Sequence, residues 1–213
     1  MKNLFVFVIV ISFLFLASCG EKYDEIKNAA EAIKNAPEAM EDMSKSIDNA
    51  EKRRNDRRAK GDTLALHFSE LGKYLPESLP GLKSEEPNGQ TTSLTGFSMS
   101  TMEREYVAED ASGRRVRITL MDYNESYEMF AGVAYWATLG LSTETSDGFQ
   151  RSFKSDIADV AGFEEYSKNS KTAKLNYAIG YRFLLTIEED EATGIDFIKD
   201  VAKKIDLKKL SGM

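Results

Sequence analysis

Side chains between Ala173 and Ile187 constrain this chain most. Ala173, Leu175, Tyr177 and Ile179 occupy every second position, Gly180 permits a bend, and Phe183, Leu185 and Ile187 resume the same spacing. A period of two places all of them on one face, so the segment reads as an antiparallel hairpin with one apolar side. A lone hairpin is barely stable in water and needs neighbouring strands and a covering layer. Val116, Ile118 and Leu120 alternate with Arg115, Arg117 and Thr119 in a half-buried strand whose arginines face water. Phe97, Met99 and Thr101 alternate with Ser98, Ser100 and Met102 in an exposed or edge strand running toward Tyr106 and Val107. A turn at Asp110 to Gly113 joins these two, and Glu103 and Glu105 are placed to pair with the arginines across it. Phe149 to Phe153 and Val160 to Tyr166 read as further strands.

Helical spacing supplies the covering layer. Residues Glu125 to Leu139 carry an apolar face of Met129, Phe130, Val133, Ala134, Trp136 and Ala137, and Gly140 can end that helix. Thr193 is expected to cap a final helix with Ile195, Ile198, Val201, Ala202 and Ile205 on one face. Near the N-terminus, Ile26, Ile33, Met40 and Ile47 recur every seven residues, with Ala29, Ala36, Met43 and Ala50 three positions after each. Pro37 divides or kinks this heptad stretch. Arg54 and Arg57 then occupy the seam, before Leu64, Phe68, Leu71 and Leu75 return to it in a helix that Asp62 or Thr63 can cap after Gly61. Alanine makes a weak dimer seam, so packing on the chain's own domain, or a solvated stalk, is favoured over stable self-association. The run Lys52 to Arg58 holds five cations and one Asp, a solvated helix face that can also meet anionic lipid headgroups.

The segment YLPESLPGLKSEEPNG is a connector with fixed turns, because three prolines and two glycines limit its backbone. Together these elements predict an α+β fold, with a helical segment at 19–60 and a domain at 61–213 whose mostly antiparallel sheet packs against helices.

The first residues predict where the chain resides. Lys2 precedes a 13-residue apolar run, Leu4 to Leu16, broken only by Ser12 and followed by small and then charged residues. That is the length and flanking pattern of a secretory signal peptide at 1–18, whereas a spanning helix needs roughly 20 apolar residues. Leu16-Ala17-Ser18-Cys19-Gly20 resembles the lipobox of bacterial lipoproteins, and Cys19 is the chain's one cysteine. The resemblance implies cleavage before Cys19, acylation of its thiol and amine, and attachment to a lipid membrane. Gly20 is not the Asp that retains lipoproteins in the enterobacterial inner membrane, so an outer-membrane, periplasm-facing location is expected.

The succession YLPESLPG, EREYVAEDASGRRVRITLMDY, IGYRFLLTIE and terminal DLKKL is similar to uncharacterised envelope proteins of the PsbP, Mog1 and DcrB group. That resemblance spans about Leu71 to Leu210, implies a sheet with helices on one side, and implies binding or scaffolding in place of catalysis. It carries no motif from which site residues transfer.

The residues offer little chemistry of their own. A net charge of −7 argues against nucleic-acid binding. One His excludes multi-histidine metal centres, and His67, beside Phe68 in a helix, reads as a surface or packing residue. Neither G-x-S-x-G nor S-x-x-K occurs, and acylation removes the only thiol. Glu188 to Glu191 reads as a solvated loop, since it lacks calcium-loop spacing. Tyr106, Tyr123, Tyr127, Trp136, Tyr166, Tyr177 and Tyr181 read as core or sheet-face residues. Alternation puts Arg182, between Tyr181 and Phe183, on the wet face. No catalytic, cofactor or metal residue is expected. The leading expectation is a non-enzymatic binding module for a protein or small ligand, with an envelope partner met through the helix or the domain. The alternatives are a hydrolase or transferase with a carboxylate pair, and a self-associating spacer.

Overall fold

The computed structural model describes residues 41, 44–45, 47–124, 140 and 142–213. All of them fall in one compact unit, Glu38–Met213. The signal segment, Cys19, Pro37 and the helix expected over Glu125 to Leu139 lie outside the described residues.

A nine-stranded open sheet organises the unit: β1 (Lys83–Ser84), β2 (Asn88–Leu94), β3 (Phe97–Val107), β4 (Arg115–Asp122), β5 (Ser142–Thr145), β6 (Gly148–Lys154), β7 (Val160–Ser167), β8 (Thr172–Ile179) and β9 (Phe183–Asp190). The order is β1-β3-β4-β9-β8-β7-β6-β5, with β2 also paired to β3. Each pairing is antiparallel. The fold is α+β, as the alternation predicts. The expected hairpin is β8–β9, with Leu175 opposite Ile187 and Tyr177 opposite Leu185. Ile118, Leu120, Leu175, Leu185 and Ile187 are fully buried on one face, where each such side chain contributes about 1.5–3 kcal/mol.

Helical residues 47–59 form α1. Short helices α2 (Phe68–Gly72), α3 (Asp196–Ala202) and α4 (Leu207–Ser211) contribute Leu71, Ile198, Val201 and Leu210 to the same core. The opposite face carries a ladder of charges. Arg115 meets Glu105 at 3.1 Å, Arg117 reaches Glu105 at 3.4 Å and Glu188 at 3.7 Å, and Lys174 reaches Glu188 at 2.6 Å. The expected pairing of Glu103 and Glu105 with the arginines is present. These groups are partly solvated, so each pair contributes at most about 1 kcal/mol.

Four expectations about secondary structure change. Strand β3 is not an edge: β4 lies on one side, and β1 and β2 lie on the other. The cause is β2, whose sequence NGQTTSL is too polar to read as a strand but pairs along seven positions. Thr193 does not cap α3, whose N-cap is Ile195 without a side-chain bond, and Asp206 starts a separate α4 by accepting from the Lys209 amide at 2.9 Å. Asp62 and Thr63 do not start a helix. Residues 62–67 are irregular, and α2 begins only after His67, whose Nδ1 accepts the Ser69 amide at 3.3 Å. Finally, the acidic run is no loop: Glu188 to Asp190 end β9.

Candidate functional site

The missing turn of helix at 62–67 has a physical cause, and it defines the most elaborate polar site among the described residues. Strand β4 ends with Asp122 on its core face, fully buried. A buried carboxylate needs a cation and donors. The β8–β9 turn supplies the cation. Gly180 and Tyr181 adopt left-handed conformations, φ 60° and 55°, which swing Arg182 out of the strand alternation. Its guanidinium then lies under the end of the sheet, where the side chain is 2% exposed. Arg182 Nε donates to Asp122 Oδ1 at 2.9 Å and NH2 donates to Oδ2 at 2.8 Å, a bidentate pair. This corrects the expectation of a wet-face arginine: alternation holds within strands, and Arg182 belongs to a turn.

The third guanidinium nitrogen, NH1, donates to Asp62 Oδ2 at 2.8 Å. Asn124 Nδ2 donates to Asp62 Oδ1 at 3.1 Å and to the Leu64 carbonyl at 3.0 Å, while Asn124 Oδ1 accepts from Arg57 Nε at 2.6 Å. Asp122 also accepts the amides of Leu66 at 2.8 Å and Asn124 at 3.0 Å. Further along, the Ala65 amide donates to Ser98 Oγ at 2.7 Å and the Phe68 amide to Thr91 Oγ1 at 2.9 Å. The amides of Ala65, Leu66 and Phe68 therefore go to sheet side chains, and a helix there would forfeit those bonds.

Helix α1 joins the same site. Ala50 is fully buried and Arg57 is 5% exposed, and Arg53 pairs with Asp159. Burial opposes charge on Arg182, but hydrogen bonding and attraction from Asp122, then Asp62, outweigh it and hold the guanidinium protonated more firmly than in water. Every polar arm of Arg182 and Asp122 is engaged within the chain. The arrangement positions segments.

Other sequence candidates lie apart. His67 is exposed beside Phe68, at 4.2 Å between ring centroids, and its Nδ1 also bonds Ser69 Oγ at 2.9 Å. Glu189 is buried against Arg114 Nε at 2.7 Å, with that guanidinium 4.0 Å above Phe197. Glu164, 4% exposed, binds Arg151 and, at 2.7 Å, Lys199 of α3. Burial, partly opposed by Arg104, pushes the Tyr106 hydroxyl up to about 12; it donates to the Pro76 carbonyl. Tyr123 and Tyr177 are raised mainly by burial too. Tyr127 and Trp136 lie outside the described residues. Asp122 and Asn124 carried no assignment from the sequence, and Asp62 was read only as a helix cap; the available signal was a charged residue, Asp122, continuing the core-face positions of an apolar strand. Among the described residues no group of three or more His, Cys, Asp and Glu side chains is placed to hold a metal, and no helix is long and apolar enough to cross a membrane.

The class of protein defined by this geometry is an α+β unit with an open antiparallel sheet. No family model matches the chain, and no curated protein or solved structure matches it either.

Proposed function

We propose that this protein is a lipoprotein of the bacterial envelope, anchored through acylated Cys19, whose α+β domain is a non-enzymatic binding or scaffolding module for a protein or small ligand. One observation carries the reading: the only cysteine directly follows Leu16-Ala17-Ser18, behind a 13-residue apolar run. Two or three acyl chains give stable attachment where one gives only reversible binding. Gly20 favours the outer membrane, facing the periplasm. The likeness to the PsbP, Mog1 and DcrB group supports a binding role.

Intact-mass analysis of membrane-extracted protein tests the anchor. The wild type should begin at Cys19 and carry acyl mass, and Cys19→Ser should carry none. The same acyl-free, processed species from both would refute it. Cross-linking in envelopes with residues 21–46 deleted tests the domain as the binding module, because Ala50, Arg53 and Arg57 stay in place. A partner lost with that deletion would move the binding role to the helical segment.

A further inference from the structure

A sheet edge presents rows of unpaired N–H and C=O groups, and proteins blunt such edges with short strands, charges or prolines. Two of the three edge strands among the described residues are blunted in this way: β1 has two residues and carries Lys83, and β5 has four and carries Glu144. Strand β2 is not. Its seven residues, NGQTTSL, include no charge and no proline, none of them is buried, and all seven pair with β3. Glu85, Glu86 and Pro87 end just before it, and the Thr95–Gly96 turn, with Gly96 at φ 77°, follows it. Every second residue of β2 turns its N–H and C=O away from β3. Among the described residues no other strand and no loop backbone group takes them. Side chains alternate as well. Thr91 Oγ1 lies on the core face, where it accepts from the Phe68 amide at 2.9 Å and from Ser100 Oγ at 2.8 Å, while Gln90 Nε2 donates to Thr92 Oγ1 on the outer face at 3.2 Å.

We infer that β2 is a docking edge for a second copy of this chain, which joins the two sheets antiparallel about a two-fold axis at Thr91. In that register Thr91 faces Thr91 of the second copy, Gln90 faces Thr92, Gly89 faces Ser93 and Asn88 faces Leu94. Opposed residues then share a face, so core face continues into core face, and the threonines form favourable cross-strand pairs. Charge selects the occupant. A two-fold contact sets a strand against itself, and like charges opposed across a ladder are destabilising, so a strand suited to self-pairing carries none near the axis. Two chains of net charge −7 repel each other in general, and this uncharged strip is where they can meet. A foreign charged strand would find no opposite charge on β2 to select it. At the far side of each sheet β5 is short and carries Glu144, so the joined sheet stops there and the assembly closes at two.

The test uses the whole chain from residue 19 onward, with Cys19→Ser so that acyl chains add no association of their own. Sedimentation equilibrium should show monomers and dimers in exchange. Hydrogen exchange should show β2 amides gaining protection as protein concentration rises, while β5 amides do not. Gln90→Lys/Thr92→Lys sets lysine opposite lysine twice across the axis and should raise the dissociation constant about tenfold. The same change lowers the net negative charge, so a general charge effect would strengthen association and has the opposite sign. Gln90→Lys/Thr92→Glu alters the same two positions but sets lysine opposite glutamate, and it should dimerise at least as well as the wild type. Both positions lie on the outer face, so circular dichroism should match the wild type for each variant. Should either variant misfold, the concentration dependence of β2 protection in the unaltered strand still decides the surface. A chain that stays monomeric at about 1 mM, where a micromolar contact would be saturated, would overturn the inference. Equal dissociation constants for the two variants would overturn it too, as would β2 protection that ignores concentration.

Discussion

Replacing Arg182 with Met removes the cation from beneath the sheet while keeping a side chain of similar length. Asp122 is fully buried and then faces apolar neighbours with only the Leu66 and Asn124 amides as donors. Breaking a buried pair in this way costs about 3–5 kcal/mol, most of it the penalty of the stranded charge. Asp62, 41% exposed on its side chain, adds little, because water solvates it once Arg182 is gone. For a unit of this size the loss corresponds to a fall in Tm on the order of 10 °C. Thermal and urea unfolding of residues 19–213 carrying Cys19→Ser, followed by far-UV circular dichroism, measures it. Arg182→Met with Asp122→Asn should recover much of the loss, since the stranded charge is removed and an oxygen acceptor stays for the amides. Arg117→Met supplies the contrast: its guanidinium bridges three glutamates on the solvated face, and its loss should cost no more than about 1 kcal/mol. If Arg182→Met and Arg117→Met destabilise equally, or the double variant is no better than Arg182→Met, the argument from burial is wrong.

Two further outcomes follow from the same packing. Tyr106→Phe removes a buried hydrogen bond to Pro76 and should cost about 1 kcal/mol at pH 7. Because the folded hydroxyl is pushed up to about 12 while an unfolded tyrosine ionises near 10, that group's stabilising contribution is complete below pH 10 and is lost as pH rises from there toward 12. The wild type should therefore lose stability faster than Tyr106→Phe between pH 10 and 11. Parallel urea midpoints across that range would contradict the assignment. At Gly162 an added Cβ would lie 2.1 Å from Phe153 Cζ, and that ring packs edge-on to Tyr177 at 5.4 Å. Gly162→Ala should cost about 1–3 kcal/mol by displacing Phe153, with partial recovery in Gly162→Ala/Phe153→Leu; equal unfolding midpoints for wild type and Gly162→Ala would show that the ring moves freely.

What the amino-acid order determined by itself was the strands with a clean period of two. Strands β4, β8 and β9 were legible because each shows one apolar face at every second residue, and the β3–β4 charge pairs followed from hairpin register. The irregular path at 62–67 was illegible, since its apolar spacing suits a helix and only side chains from β2, β3 and β4 divert its amides. Strand β2 gave no signal of its own, because it exists as a partner for β3 and is too polar to betray a buried face. The central site was hidden most deeply. Arg182 meets Asp122 and Asp62 across separations of 60 and 120 residues. A charge's environment is set by whatever the folded chain brings within a few ångströms of it, and no local pattern records that distance.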